Sequence, residues 1–180
     1  MKNVYEDVMR NWQPQQRNLY ELVVDGLDDF FEGGILSIAL KTIALPSYTT
    51  DKITVPYLNT EVYFAGKTVI GEFGAEFMDF CDQNTMKAIK EWYYTVWNPE
   101  THRAGLAADY KKDATLTIYP PPLETATPTS GGTTSTIRSW DIKGLWIQSM
   151  DLGSMSYDDS GQVMIPTTLI ADKAYPVDGF

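Results

Sequence analysis

The residues able to do chemistry in this chain are few and poorly placed for it. His102 is the sole histidine, which removes His-paired nucleophilic catalysis and His-cluster metal sites. It stands in Asn98-Pro99-Glu100-Thr101-His102-Arg103, a stretch that reads as a surface loop. Cys81 is the sole cysteine, so an internal disulfide and a Cys-based metal site are both excluded. It follows Phe80 and has no cation beside it, the setting of a buried filler rather than a nucleophile. Gly66-Lys67-Thr68 has the closing residues of a phosphate-binding loop, but Glu61 occupies the position that needs the first glycine. The strand-like segments on both sides make it a hairpin turn instead. Asp158-Asp159 lacks the alternating ligands and closing Glu of a calcium loop. Asp28, Asp29 and Glu32 sit in a Gly-bounded loop, where adjacent acids are usually a solvated turn. No Gly-x-Ser-x-Gly elbow exists. No catalytic, cofactor-binding or metal-binding set is expected, and the chain reads as a non-enzyme.

Bulk properties narrow the class further. The 180 residues suffice for one compact domain, expected to span 1–180. With 24 Asp/Glu against 14 Lys/Arg, the formal charge is −10. No basic run could neutralise successive phosphates, so nucleic-acid binding by counterion release is not expected. No stretch approaches the ~18 apolar residues of a membrane helix, and the first residues, Met1 to Asp7, carry no apolar signal core. The chain is expected to be cytosolic when made, with no membrane association.

These side chains must be positioned by elements that the sequence marks unevenly. Residues 1–17 read as a helical or irregular arm closed by Pro14. Strands are expected at Asn18–Val24, Ile35–Ile43, Glu61–Ala65, Thr68–Phe80, Ala114–Tyr119, Ser135–Ile142, Leu145–Met150 and Val163–Ile170. The Gly66-Lys67 pair is expected to turn the chain between the third and fourth of these. The segment 45–59, with Pro46 and Pro56, is long and weakly strand-like, as functional loops tend to be. One helix is clear: Met86, Ile89, Trp92/Tyr93 and Val96 form its stripe, Asn84 or Thr85 caps it, and Asn98-Pro99 ends it. Residues 124–134 are rich in Thr, Ser, Gly and Pro, a flexible insertion. Pro166 inside the last strand demands an edge position or a bulge. The sum is a mainly β chain, an antiparallel β-sandwich or barrel with one flanking α-helix.

Five local patterns occur in the order found in the tail tube proteins of contractile-tailed bacteriophages. Ala44-Leu45-Pro46 leads into Lys52-Ile53-Thr54-Val55-Pro56, and Ala65-Gly66-Lys67-Thr68 follows. Then come Ala108-Asp109-Tyr110-Lys111-Lys112-Asp113-Ala114 and Ile142-Lys143-Gly144-Leu145-Trp146. In the latter, Ile147 stands where that family often has proline. Gln162 and Leu169-Ile170-Ala171-Asp172 follow more loosely, so the resemblance covers about Asn18 to Asp172. The arm before Asn18 and the long 124–134 insertion depart from it.

The resemblance implies a ring-forming fold shared with the tube proteins of type VI secretion. Six subunits would close each ring, and stacked rings would form a hollow conduit for the genome inside a contractile sheath. The implied partners are further copies of the chain, the sheath, baseplate or initiator, tube terminator and tape measure proteins. DNA would pass through the lumen without specific binding, and the implied location is the virion tail. Glu72, Gly74 and Glu76 share one face of an alternating strand, opposite Phe73, Ala75 and Phe77. That face is the candidate lumen wall, where carboxylates would repel phosphates. Leu45, Pro46, Ile53, Val55, Pro56, Tyr57 and Leu58 are candidates for contacts between subunits or stacked rings. The alternatives are a sugar-binding β-sandwich and another tail part, such as a tube terminator or baseplate hub piece.

Overall fold

A computed structural model describes residues 15–27, 39–80, 85–119, 138–158 and 160–178. The acidic run at 28–32, Cys81, the 124–134 insertion and most of the N-terminal arm lie outside them. Among the described residues the chain forms β1 (Tyr20–Val24), β2 (Leu40–Ile43), β3 (Tyr48–Tyr57), β4 (Thr60–Ile70) and β5 (Phe73–Met78). Helix α1 (Thr85–Val96), the two-residue strands β6 (Trp97–Asn98) and β7 (Arg103–Ala104), and the short helix α2 (Ala107–Tyr110) come next. Strands β8 (Lys112–Ile118), β9 (Arg138–Met150), β10 (Met164–Ile170) and β11 (Lys173–Asp178) complete the order. The chain is mainly β, its strand pairs are antiparallel, and α1 flanks the sheets, as the sequence patterning expects.

Strand β9 organises the body. Its first half pairs with β8 on one side and β11 on the other, and its second half pairs with β10. Beyond these, β1 pairs with β8, while β5 and β2 extend the sheet past β10. Two layers are therefore joined through one long strand. Gly144, at φ +66°, sits at the passage between its halves, a backbone state that side chains with a Cβ rarely adopt. The strands expected at Ser135–Ile142 and Leu145–Met150 are this single strand.

The inward faces of both layers bury Leu22, Leu116 and Ile142 against Phe73, Phe77, Ile165 and Leu169. Each fully buried aliphatic or aromatic side chain contributes roughly 1.5–3 kcal/mol of transfer free energy. Strand β5 shows the mechanism most plainly, since Phe73, Ala75 and Phe77 alternate inward as period-two patterning requires. Helix α1 adds Ala88, Ile89 and Trp92 to the core. The Trp92 indole N–H donates to the Tyr110 carbonyl at 3.0 Å, tying α1 to α2. The helix N-terminus is held by Asp79, whose carboxylate accepts the Met86 N–H at 3.1 Å.

Among the described residues the sheet does not close into a barrel. Its path ends at β1 and β2, which are not paired with each other. They meet where the Tyr20 hydroxyl donates to the Lys41 carbonyl, beside a cavity of about 610 Å³ floored by Leu116 and Trp140. Partial burial there raises the Tyr20 pKa.

Four sequence expectations are corrected. Gly66-Lys67 is not a turn: β4 runs through it, and the register shift between Thr50 and Lys52 marks a bulge opposite Asp51. The segment 45–59 is not a loop, because most of it is β3. The stretch Thr68–Phe80 is divided between β4 and β5, with Gly71-Glu72 as the break. Strand β10 is followed by β11, so it is not the last. Pro166 lies in a strand with neighbours on both sides. Its carbonyl accepts the Asp151 N–H at 2.9 Å, so its own nitrogen faces the same way, where β9 ends and no ladder bond is needed.

Candidate functional site

Strands β3 and β4 form a two-stranded sheet of their own, off the main sheet. At about 3.4 Å per residue, ten residues of β3 reach roughly 34 Å. A two-stranded ribbon is marginal in water unless something packs on it. Every residue of β3 is exposed, and β4 is nearly so. The ribbon is anchored at its base, where the Tyr48 hydroxyl donates to the Ala174 carbonyl at 2.7 Å and Ile70 packs on the core.

Register divides the ribbon into two unlike faces. Ile53 pairs with Phe64, Val55 with Val62 and Tyr57 with Thr60, so these side chains share one face. Thr49 and Val69 join it across the bulge. The intervening pairs, Lys52 with Ala65, Thr54 with Tyr63 and Pro56 with Glu61, share the other. That second face satisfies itself: Lys52 Nζ lies 4.5 Å above the Tyr63 ring, and the Tyr63 hydroxyl donates to Glu61 at 3.0 Å. The first face is apolar and open, with Ile53 53% and Phe64 55% exposed. At the tip Leu58 is 89% exposed and adopts φ +51°, a costly state for this residue.

Of the expected contact residues, Ile53, Val55 and Tyr57 are thus brought together with Leu58 close by, and Leu45 is exposed before the ribbon begins. Pro56 falls on the opposite face. Pro46 is buried within the chain and presents no side chain outward. Sequence reasoning missed Val62, Phe64 and Val69, half of the apolar face. The available signal was their alternation in Val62-Tyr63-Phe64, hidden by reading Gly66-Lys67 as a turn.

Glu72, Gly74 and Glu76 lie together on the outward side of β5 and the residue before it. Gly74 opposes Thr168 and Glu76 opposes Pro166, so the outward face is built of small and polar groups. Thr42 donates to the Glu76 carboxylate at 3.1 Å, and Gln148 donates to Glu72 at 3.3 Å. A shallow groove of about 730 Å³ runs along this face between Thr42 and Ser149. The face also carries a cation: Lys41 reaches the Met164 sulfur at 3.8 Å.

Two motifs of the resemblance, 108–114 and 142–146, converge near Gly144 of β9. Lys111 donates to both Asp172 oxygens, at 2.6 and 2.8 Å, and Lys143 sits 3.1 Å from both Asp113 and Asp141. Asp113 also accepts the Gly144 N–H at 3.2 Å, and the Asp172 N–H donates to the Lys143 carbonyl at 3.0 Å. Hydrogen bonding to Asp141 and then Asp113 raises the Lys143 pKa to about 12. Asp141 is lowered, first by the Tyr175 hydroxyl at 2.8 Å and then by Lys143. Tyr110 and Trp146 meet edge to face at 5.9 Å alongside. Every charge here has an internal partner, so these residues hold the bend together.

Nothing in this arrangement places a nucleophile beside a base. His102 contacts Trp97 edge to face at 5.8 Å, on a surface turn where Asn98 accepts the Glu100 and Thr101 N–H groups. Among the described residues no group of three His, Cys, Asp or Glu is disposed to hold a metal ion. What the described surface offers is shape and apolar area.

No protein-family model and no curated protein matches the chain. Solved structures do. The fold is similar to a chain of the sheath/tube terminator of PVC, an extracellular contractile injection system, in its extended state. That match has a TM-score of 0.64 and 12% identity, and covers 93% of this chain and 99% of that one. It is similar also to the tube terminating cap of the anti-feeding prophage (TM-score 0.64, 13% identity, 99% and 100% covered). A chain of the PVC sheath-tube complex in the extended state matches with a TM-score of 0.60 at 13% identity, covering 96% of each. The chain therefore has the fold of tube-related components of contractile injection systems.

Proposed function

We propose that this chain, folded like tube and tube-terminator components of contractile injection systems, is a structural subunit of a contractile tail tube of the bacteriophage kind. The observation that carries the proposal is the β3–β4 ribbon: an extended, uncovered element with no chemical role, projecting from a body of this fold. Such an element gains stability when another chain covers it. Copies of the chain assemble as stacked hexameric rings that enclose a hollow conduit for genome passage. Sheath, baseplate and terminator proteins are its partners, the tape measure protein and DNA occupy the lumen, and the virion tail is its location.

In this reading the outward face of Glu72, Gly74 and Glu76 lines the lumen. Carboxylates and small side chains there keep DNA phosphates from adhering. A solved ring in which these residues face the sheath would refute that assignment. A non-catalytic role follows from the same picture.

A second reading, the tube terminator, is supported by the TM-score of 0.64 with both terminator structures against 0.60 with the sheath-tube chain. The two differ in what a purified chain can build. Negative-stain electron microscopy across a concentration series should show hollow rings that stack into tubes. Rings that never stack would favour the terminator. Monomers at every concentration would weigh against both, and toward a binding module.

A further inference from the structure

We infer that the cavity where β1 faces β2 is a binding site for a small amphiphilic anion, an apolar tail ended by one carboxylate, of the fatty-acid kind. This goes beyond the structural role proposed above and does not depend on it.

Three observations select the site and its ligand. The first is size and access. The cavity holds about 610 Å³, within the roughly 300–1,000 Å³ of small-molecule sites. It lies at the two ends of the sheet path, and among the described residues no strand fills the space between β1 and β2.

The second is the apolar wall. Leu116 and Trp140 are buried at the floor, while Leu19, Ile43 and Ile118 above them are only half-buried. Side chains of this kind gain free energy when an alkyl chain replaces water against them. The Tyr20 hydroxyl beside them titrates above its ordinary value because burial disfavours its charged form, the mark of a water-poor setting.

The third is charge. The chain has 24 Asp/Glu against 14 Lys/Arg, yet the cavity is lined by Arg17, Lys41 and Arg138 and by no described carboxylate. A local excess of cations in an acidic chain selects an anion. Three cations around one pocket suit a single anionic head, whereas a nucleic-acid backbone needs a row of them.

Arg138 already makes a contact of its own within the chain, so it adds to the potential rather than to recognition. Recognition falls to Arg17 and Lys41, both exposed. Arg17 offers a planar fork that a carboxylate can engage through both oxygens. The Lys41 ammonium rests 3.8 Å from the Met164 sulfur, a weak acceptor that a carboxylate would outbid. With its tail on Leu116 and Trp140, the ligand would touch both β1 and β2, which the Tyr20 hydroxyl alone now links by a hydrogen bond to the Lys41 carbonyl.

The test is calorimetric titration of the full chain with dodecanoate below its micelle concentration, with dodecanol and dodecyltrimethylammonium as neutral and cationic counterparts. Dodecanoate should bind once per chain, more tightly than either counterpart, and should raise the melting temperature as its concentration rises. Arg17→Gln should weaken dodecanoate about tenfold and leave dodecanol unchanged, because only the charged head meets the guanidinium. Leu19→Trp, which fills the cavity, should abolish binding of both while keeping the far-ultraviolet circular dichroism of the parent. Phe64→Ser, on the exposed ribbon, should bind as the parent does. Absence of binding overturns the inference, as does a cationic or neutral counterpart that binds as tightly as dodecanoate. Binding that survives Leu19→Trp but is lost in Phe64→Ser places the amphiphile on the ribbon and overturns it too. Each of these failures leaves the tube reading standing, since that reading is tested by rings and tubes.

Discussion

At the scale of single residues, Gly144 is the position where backbone, packing and charge meet. A Cβ there would lie 2.4 Å from an Asp172 carboxylate oxygen and 2.9 Å from its Cγ, and φ is +66°. Asp172 is itself held by Lys111, so it cannot swing away freely. Gly144→Ala should therefore lower stability by about 1–3 kcal/mol, read as a shift in the urea midpoint. Adding Asp172→Ala should recover part of that loss, because the clash disappears while the backbone penalty stays. Strict additivity of the two losses would show that the corner relaxes around the methyl group. The glycine was legible in the sequence as part of a motif, but its job was not. The reason for it is a carboxylate 28 residues further on, brought close only by the pairing of β11 with β9.

At the scale of elements, α1 depends on a contact its own sequence does not contain. Asn84 or Thr85 was the expected cap; Asn84 lies outside the described residues, and Asp79, just past β5, supplies the acceptor for the Met86 N–H. Asp79→Ala should cost about 1 kcal/mol and Asp79→Asn less, measured by thermal or urea unfolding. Equal losses would mean that its charge, acting on the helix dipole, matters more than the hydrogen bond. Strands β1, β8 and β10 and helix α1 were all legible, since each carries an unbroken period of two or of 3.6. The β3–β4 ribbon was not. Its reversal uses Leu58 at positive φ rather than glycine, while its most turn-like pair, Gly66-Lys67, forms a bulge against Asp51. Both strands are also exposed on both faces, so the chain's own core imposes no in-and-out alternation on them. That is why half of the candidate surface could be named from β3 and none from β4.

At the scale of the whole molecule, the proposed assembly would have to overcome the repulsion of chains of formal charge −10 with apolar contact. Raising sodium chloride from about 0.1 M to 1 M shortens the screening length from roughly 10 Å to 3 Å. It should lower the concentration at which the chain begins to pellet, and sulfate should lower it further by strengthening apolar burial. A pelleting threshold that rises with salt would show that opposite charges, rather than apolar contact, drive any assembly. The antiparallel layering and the helix were readable from the chain, because a single subunit determines them. The exposed ribbon was readable only in part, because no face of it is buried against the rest of the chain.

The bend of β9 has one more consequence. A single strand of 13 residues belongs to both layers of the body. Tension applied to either layer must therefore pass along a covalent backbone, and along ladders to β8, β10 and β11 that would have to shear together rather than peel one bond at a time. Separating the layers and breaking the strand order are the same event, so the subunit should yield to force all at once or not at all. In the tube subunit proposed above, that is the property which would let a wall be pushed without coming apart.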